Sequence, residues 1–434
     1  MKKRKKKCIV VLAVNKEIFK KDIREFLNVL NFKNIIEIPK EFWKYLIWKD
    51  TLYRHRAVFI KNFLREEKKE KFRNNLQSFN VCILHVGMHK TGSTSIQLTL
   101  NNYENNKFYY AKLSPDGCHN IPICILYSKN LYKHPYFRHF SKEEIKENRE
   151  KAQALLIKNV LASGGKNLII SAEHILLLKY EELQNLKNFL DYYFKRILIY
   201  AYVREPFGYL SSIFQQNLKY LNIKIEQLPR WYPNYKKTFQ KFYKIFGEKN
   251  IILKKFAPER FPDGCVVKDF CQTLGISISK HRVIRANISW PKEVVSFIYI
   301  LRKFEKNINI HPWQIQFLVE LLFEEILKDV NLNPFKLSKK LIKPIIEKNR
   351  DDIRWIEGKL GEPLIEESLL EEEEEDYVIE SEEDLLNIPP EVVERLRDYT
   401  NYSDNNKPLQ FQVAEMLLNI LADNFPDIKA QIEN

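Results

Sequence analysis

The segment His85-Val-Gly-Met-His-Lys-Thr-Gly-Ser-Thr-Ser95 sets two glycines, a lysine and a run of hydroxyls between an apolar stretch and an amphipathic one. Successive backbone N–H groups in such a turn, with a helix N-terminus behind them, bind oxyanions such as phosphate. Gly87 and Gly92 let the chain bend and let an anion approach the main chain. Their Gly-x-x-x-x-Gly spacing is that of a nucleoside-triphosphate loop, which carries its lysine directly after the second glycine. Here Ser93 holds that position and the lysine stands at 90. A lysine so displaced leans across the loop toward the far end of a bound anion, where it offsets charge on a departing oxygen. Gly87, His89, Lys90, Thr91, Gly92, Ser93 and Thr94 are the candidate anion contacts.

Two further segments carry chemistry. Tyr202-Val-Arg-Glu-Pro206 ends an apolar, β-branched run, and Ser212 follows Arg204 at a distance of eight residues. A guanidinium fork matches a phosphate, and a hydroxyl near a helix start adds a directed hydrogen bond. Ile169-Ile-Ser-Ala-Glu-His174 also closes an apolar run, and ligands in open α/β sheets collect at the C-terminal ends of strands. Glu173 is the candidate general base for a hydroxyl proton, with His174 as the alternative because imidazole titrates near neutrality.

The pattern Gly-x-x-Lys-x-Gly-(Ser/Thr)-Thr resembles the 5′-phosphosulfate loop of sulfotransferases that use PAPS (3′-phosphoadenosine 5′-phosphosulfate), especially bacterial and carbohydrate-directed members. The resemblance continues through Asn250–Phe256, Val267–Phe270, Leu274-Gly-Ile276 and Arg285–Ser289, about residues 80–310 in all. It implies a PAPS donor, PAP as product, no metal, and Arg204 with Ser212 on the 3′-phosphate. Lys90 and Glu173 then take the catalytic roles, Glu173 resembling a strand-end Ser-Ser-Glu. The implied acceptor is a hydroxylated carbohydrate: a glycan, glycolipid or capsule precursor. Two departures stand out: Ser95 occupies the place of a tryptophan found in cytosolic relatives, and their Arg-Lys-Gly segment is missing, leaving Arg282 or Arg285 as stand-ins. Tyr109, Tyr110, His134, Tyr136 and His139, with Trp231 and Tyr232, are candidates to line a sugar cleft.

The elements around these motifs alternate. Strands are expected over 81–86, 167–171, 196–203 and 250–256, and helices over 94–100, 143–161, 180–194, 207–221 and 235–246. This order predicts an α/β fold with a parallel sheet flanked by helices and right-handed crossovers. Before it, residues 1–78 read as a small βαβ-like extension and linker: a strand over 8–14, a helix over 17–30 and a strand over 34–39. The core spans 79–310. Beyond lies a helical region, 311–434, interrupted by the acidic run 371–375.

Composition narrows the function classes only slightly. The chain has 434 residues and a formal net charge of +15, which favours anionic partners of any kind. Its basic residues are mixed with glutamate along helices rather than gathered with exposed aromatics, so nucleic acid is not the expected partner. A kinase or NTPase acting on ATP is the main rival, and a basic nucleic-acid-binding or scaffold protein the second. Six cysteines without CxxC spacing read as free thiols in a reducing compartment. Cys118, His119 and Cys124 lack the spacing of a zinc site. The basic start Met1–Lys7 precedes only about seven apolar residues, too few for a secretory signal, and no later run reaches the ~20 a membrane helix needs. A soluble, cytoplasmic protein is expected, whose basic start can touch an anionic membrane. The oligomeric state has no signal in the sequence.

Overall fold

The computed structural model describes residues 81–434, apart from 134, 287–288, 306–307, 367–376, 405 and 434. In the first part of the chain it describes two strands, β1 (Val10–Leu12) and β2 (Ile35–Glu37). The chain divides into two compact units, Met1–Gln77 and Ser78–Asn434. In the first, β1 and β2 pair in parallel, Val10 opposite Ile35. The helix expected over 17–30, the acidic run 371–375 and His134 lie outside the described residues.

The second unit is built on five strands, β3 (Val81–His85), β4 (Phe108–Tyr110), β5 (Asn167–Ser171), β6 (Arg196–Val203) and β7 (Ile251–Lys255). All pair in parallel, in the order β4-β5-β3-β6-β7. Helices α1 (Ser93–Leu100), α2 (Asn120–Tyr127), α3 (Lys142–Ala162), α4 (Tyr180–Asp191), α5 (Pro206–Leu218), α6 (Tyr235–Phe246) and α7 (Val266–Leu274) connect and flank them. Fold class therefore matches the expectation of a parallel sheet flanked by helices. Strands buried on both faces need apolar residues at every position rather than at alternate ones, which is why Cys82, Ile83 and Leu84 of β3 are all buried. The three-residue strand β4 was not anticipated. Phe108-Tyr-Tyr110 is too short to show a period.

Strand order creates the site. From β3 the chain crosses to β4 and β5 on one side, then from β5 over to β6 on the other side of β3. Connections leaving the C-terminal ends of β3, β5 and β6 therefore diverge around a crevice, the usual ligand position in open α/β sheets. Register brings the strand ends level: His85 lies opposite Ser171 on one side and Tyr200 on the other.

The remaining helices are α8 (Lys292–Phe304), α9 (Pro312–Leu321), α10 (Lys339–Lys348), α11 (Arg350–Leu360), α12 (Glu382–Leu386), α13 (Pro390–Thr400), α14 (Leu409–Asn424) and α15 (Pro426–Glu433). Within the region expected to be helical, α9 passes directly into a π-helical turn, Leu322–Ile326. Helix α8 is buried over most of its length and packs against α14 and α12. From α8 the buried Arg302 donates to the carbonyl oxygens of Leu218 (2.9 Å) and Lys219 (2.5 Å), while Glu305 pairs with it at 3.0 Å. Carbonyls at a helix end have no partner within the helix. The C-terminal helices thus fix the end of α5, with a consequence for the site.

Candidate functional site

The loop after β3 is closed by backbone geometry before any side chain acts. Gly87, Lys90 and Gly92 all adopt left-handed conformations, with φ of 69°, 67° and 75°. A Cβ on Gly87 would lie 2.9 Å from both Glu173 Cγ and Ser93 Oγ, and one on Gly92 would lie 2.7 Å from Val266 Cγ1. Both positions therefore require glycine. Lys90 bears a side chain in a region that costs about 1–2 kcal/mol for such residues. Its carbonyl is held by Arg204 Nη1 at 2.7 Å. Thr91 is buried, and its hydroxyl donates to the carbonyl of Met88 at 2.6 Å, turning inward to brace the loop. Ser93 opens α1 and Thr94 follows it in the first turn.

Arg204 follows the last residue of β6. Its guanidinium lies 5.3 Å over the ring of Phe256. Next to it Glu205 caps α5, accepting from the N–H groups of Phe207 and Gly208, both at 2.6 Å. A Cβ on Gly208 would meet Glu205 Oε1 at 2.5 Å and Arg204 Nε at 3.0 Å, so α5 starts tightly under the guanidinium. Ser212 is buried on α5 and makes no hydrogen bond to Arg204 or the loop among the described residues.

A third cation belongs to the cluster and had no signal in the sequence. Lys219, just beyond α5, donates to Gln316 Oε1 at 2.6 Å, and its Nζ sits 5.1 Å over the ring of Trp290. Burial, then the charges of Lys219 and Arg204, push the Lys90 ammonium down to about 8, against a smaller upward pull from Glu173. No carboxylate forms an ion pair with Lys90 among the described residues. Gathering like charges in a half-buried place is unfavourable, so the arrangement fits an anionic ligand.

Glu173 begins a 3₁₀ turn, Glu173–Leu177, directly after β5. Its Oε2 lies 3.5 Å from His89 Nδ1. Burial alone would raise this carboxyl, but the His89 contact holds it below the ordinary carboxylate range. In return, Glu173 overcomes the effect of burial on His89 and raises that imidazole above its usual value. The alternative base, His174, lies with its ring centroid 6.1 Å from that of His89, and its Nδ1 is 3.4 Å from Cys124 Sγ.

Beneath the loop, His85 Nδ1 and Ser171 Oγ are 2.8 Å apart, and the Ser171 N–H donates to His119 Nδ1 at 3.0 Å. Burial depresses both imidazoles to about 4, so they are neutral at pH 7. The Nε2 atom of His85 is buried without a hydrogen-bond partner among the described residues. Buried polar atoms are seldom left so. The Ser93 hydroxyl, at the head of α1, lies against the Glu173 carboxylate and helps keep it ionised.

Arg282 and Arg285 are engaged elsewhere. Arg282 caps α1 through the carbonyls of Thr99 (3.0 Å) and Asn101 (2.7 Å), and Arg285 donates to the carbonyl of Asp263 at 2.7 Å. Their segment runs along α1: the N–H of Ala286 donates to Ser95 Oγ at 3.0 Å and that of Ile284 to Thr99 Oγ1 at 2.9 Å. Ser95, conspicuous in the sequence as a missing tryptophan, is the hydroxyl that anchors this segment. The sugar-cleft reading of the aromatics fails for three of them. Tyr109, Tyr110 and Tyr232 are 6%, 0% and 5% exposed and belong to the core, whereas Tyr136 and His139 are exposed. Among the described residues no group of three or more His, Cys, Asp or Glu side chains is placed to hold a metal, and no helix is long and apolar enough to cross a membrane.

No family model matches the chain. An uncharacterized protein of Archaeoglobus fulgidus is 27% identical over 159 residues, covering 36% of this chain. The match spans 44% of that relative's length. Among solved structures, the chain is similar to a sulfotransferase from Alicyclobacillus acidocaldarius, with a TM-score of 0.31 and 11% identity over 64% of this chain and 95% of that one. A likeness so slight has no bearing on activity.

Proposed function

We propose that the chain is a PAPS-dependent sulfotransferase acting on a carbohydrate hydroxyl, with residues 79–310 as its catalytic core. The observation that carries this reading is the trio Lys90, Arg204 and Lys219 around a loop whose lysine precedes the second glycine. PAPS, when bound, supplies the sulfonyl group that passes to the acceptor. Lys90 and the loop N–H groups hold phosphate oxygens and offset negative charge growing on them. Arg204, already holding the loop through the Lys90 carbonyl, has guanidinium N–H groups left for the 3′-phosphate, to which Ser212 would add a hydroxyl. Glu173, ionised and held by His89, takes the proton of the acceptor hydroxyl.

The ATP-kinase reading is weakened by Ser93 in the place of the expected lysine. Thermal unfolding separates the two readings. PAP at about 100 times its Kd stabilises by about 2.7 kcal/mol, an upward shift of a few degrees, whereas ATP with magnesium leaves the transition in place. Stabilisation by ATP–magnesium and not by PAP overturns the proposal. Labelled sulfonate transfer from PAPS onto a panel of glycans then identifies the acceptor.

A further inference from the structure

A second basic site lies at the other end of the sheet, where neither the loop nor its partners reach. A cleft of about 670 Å³ is framed by the end of α4, the start of β6 and the turn before β7. Its volume falls within the range of small-molecule sites, roughly 300–1,000 Å³. Strand β6 runs from Arg196 at this cleft to Val203 beside Arg204, so at ~3.3 Å per residue the two sites are separated by more than 20 Å.

Four cations line the cleft, Lys187, Lys195, Arg196 and Lys249, against one carboxylate, Asp191. That carboxylate is already paired with Lys187 at 2.5 Å, one helical turn away. Lys195 and Lys249 form no ion pair among the described residues, and both are exposed. Arg196 is exposed but not loose. Its Nε donates to Asn250 Oδ1 at 2.9 Å and its Nη2 to the carbonyl of Lys249 at 2.6 Å, which fixes the guanidinium plane and leaves Nη1 for a ligand. Asn250 is held in turn through its Nδ2, which donates to the carbonyl of Phe246 at 2.8 Å. Ile197, Ile245 and Phe246 complete the lining and are buried.

Three positive charges without an ion-pair partner among the described residues, one of them held rigidly, share the lining of this cleft with a few largely buried apolar side chains. Such a place attracts a multiply charged oxyanion carried on a compact scaffold that can cover those side chains. A guanidinium already fixed by protein hydrogen bonds loses little freedom when it meets an oxyanion, unlike a free surface lysine.

We propose that this cleft is a second anion site, separate from the loop, that takes an organic phosphate or sulfate monoester of one- to two-ring size. The assignment does not depend on the sulfotransferase reading.

Isothermal titration of the full chain tests it, with glucose 6-phosphate and glucose 6-sulfate as probes and inorganic phosphate and sulfate as free-ion arms. Salt of about 20 mM and about 200 mM brackets the electrostatic contribution. Both esters are expected to bind at low salt, severalfold more tightly than the free ions, and to weaken severalfold at high salt. Lys195→Glu/Lys249→Glu is expected to weaken them by about tenfold, and Lys90→Ala to leave them unchanged. Lys195→Gln/Lys249→Gln gives the same reading with a smaller loss should the glutamate pair fail to fold. Absence of ester binding at low salt overturns the proposal, as does affinity unchanged in both cleft variants. Loss of binding in Lys90→Ala also overturns it, by placing the ester at the loop. Free ions that bind as tightly as the esters overturn the organic part. PAP binding is read separately: its absence defeats the sulfotransferase reading and leaves this one standing.

Discussion

Both ends of the five-stranded sheet gather cations, and they hold them differently. At the C-terminal end, Lys90, Arg204 and Lys219 come from three segments and are half-buried. There the Arg204 side chain grips the Lys90 backbone, and the end of α5, which leads into Lys219, is clamped by Arg302 from the C-terminal helices. At the N-terminal end, Lys195, Arg196 and Lys249 are exposed, and only Arg196 is fixed by hydrogen bonds. Similar numbers of charges are therefore suited to different uses. Half-buried, braced charges act through a low dielectric and need not reorganise as charge develops, as stabilising a reacting group requires. Exposed charges are screened by salt and suit reversible capture of an anion.

Five measurements test whether the two ends differ in this way, taken in order of decreasing effect. Lys90→Ala should lower sulfonate transfer by about 10²–10³-fold, the range for losing one group that stabilises transition-state charge, with an unchanged circular dichroism spectrum. Normal turnover would remove Lys90 from catalysis. Gly92→Ala should cost about 2–4 kcal/mol, from the left-handed conformation together with the overlap on Val266; chemical denaturation reads this directly, and an unchanged midpoint would contradict the loop geometry. For Arg204→Ala the expected loss is in PAP affinity, about 10–100-fold by calorimetry, as for a lost hydrogen bond to a charged group. An unchanged Kd would argue against its phosphate role.

The fourth measurement uses pH. A bound polyanion favours protonated Lys90, which in the free protein loses its proton near pH 8. Affinity for PAP should therefore be full below about pH 8 and fall above it, by at most about tenfold per pH unit. Lys219→Met removes a neighbouring charge that depresses Lys90, so the fall should begin at higher pH. A break point that stays in place would mean Lys219 does not act on Lys90. Smallest of all, Lys195→Ala at the exposed end should change stability by no more than about 0.5 kcal/mol and leave PAP affinity unaltered. A larger change in either would erase the distinction between the two ends.

Much of the core was legible in the sequence. Apolar runs marked β3, β5 and β6, a shorter one marked β7, and the motifs at 85–95, 169–174 and 202–206 all fall at strand ends on one side of the sheet. What escaped was short or long-range. Strand β4 has three residues and no period. Lys219 meets the charge of Lys90 across 129 positions of chain, and no local pattern records such a meeting. The Glu173–His89 contact joins two motifs that had been read separately, and it makes the candidate base an ionised partner of the loop. Tyr109, Tyr110 and Tyr232 read as cleft residues because a tyrosine suits a sugar surface and a core equally well.

The sequence alone determined the local conformations: the strand–loop–helix at 81–100, the glycines at 87 and 92, and the position of the lysine at 90 rather than after Gly92. Those are matters of backbone sterics and period, which neighbouring residues settle among themselves. Only the tertiary structure decided strand order, and with it which side chains share the crevice. Arg204 on the Lys90 carbonyl and Glu173 against Gly87 are contacts between distant segments, and the charge of Lys219 reaches Lys90 from a third. Burial then sets the electrostatic behaviour of these groups, because the dielectric around a charge depends on the whole fold rather than on its neighbours in sequence.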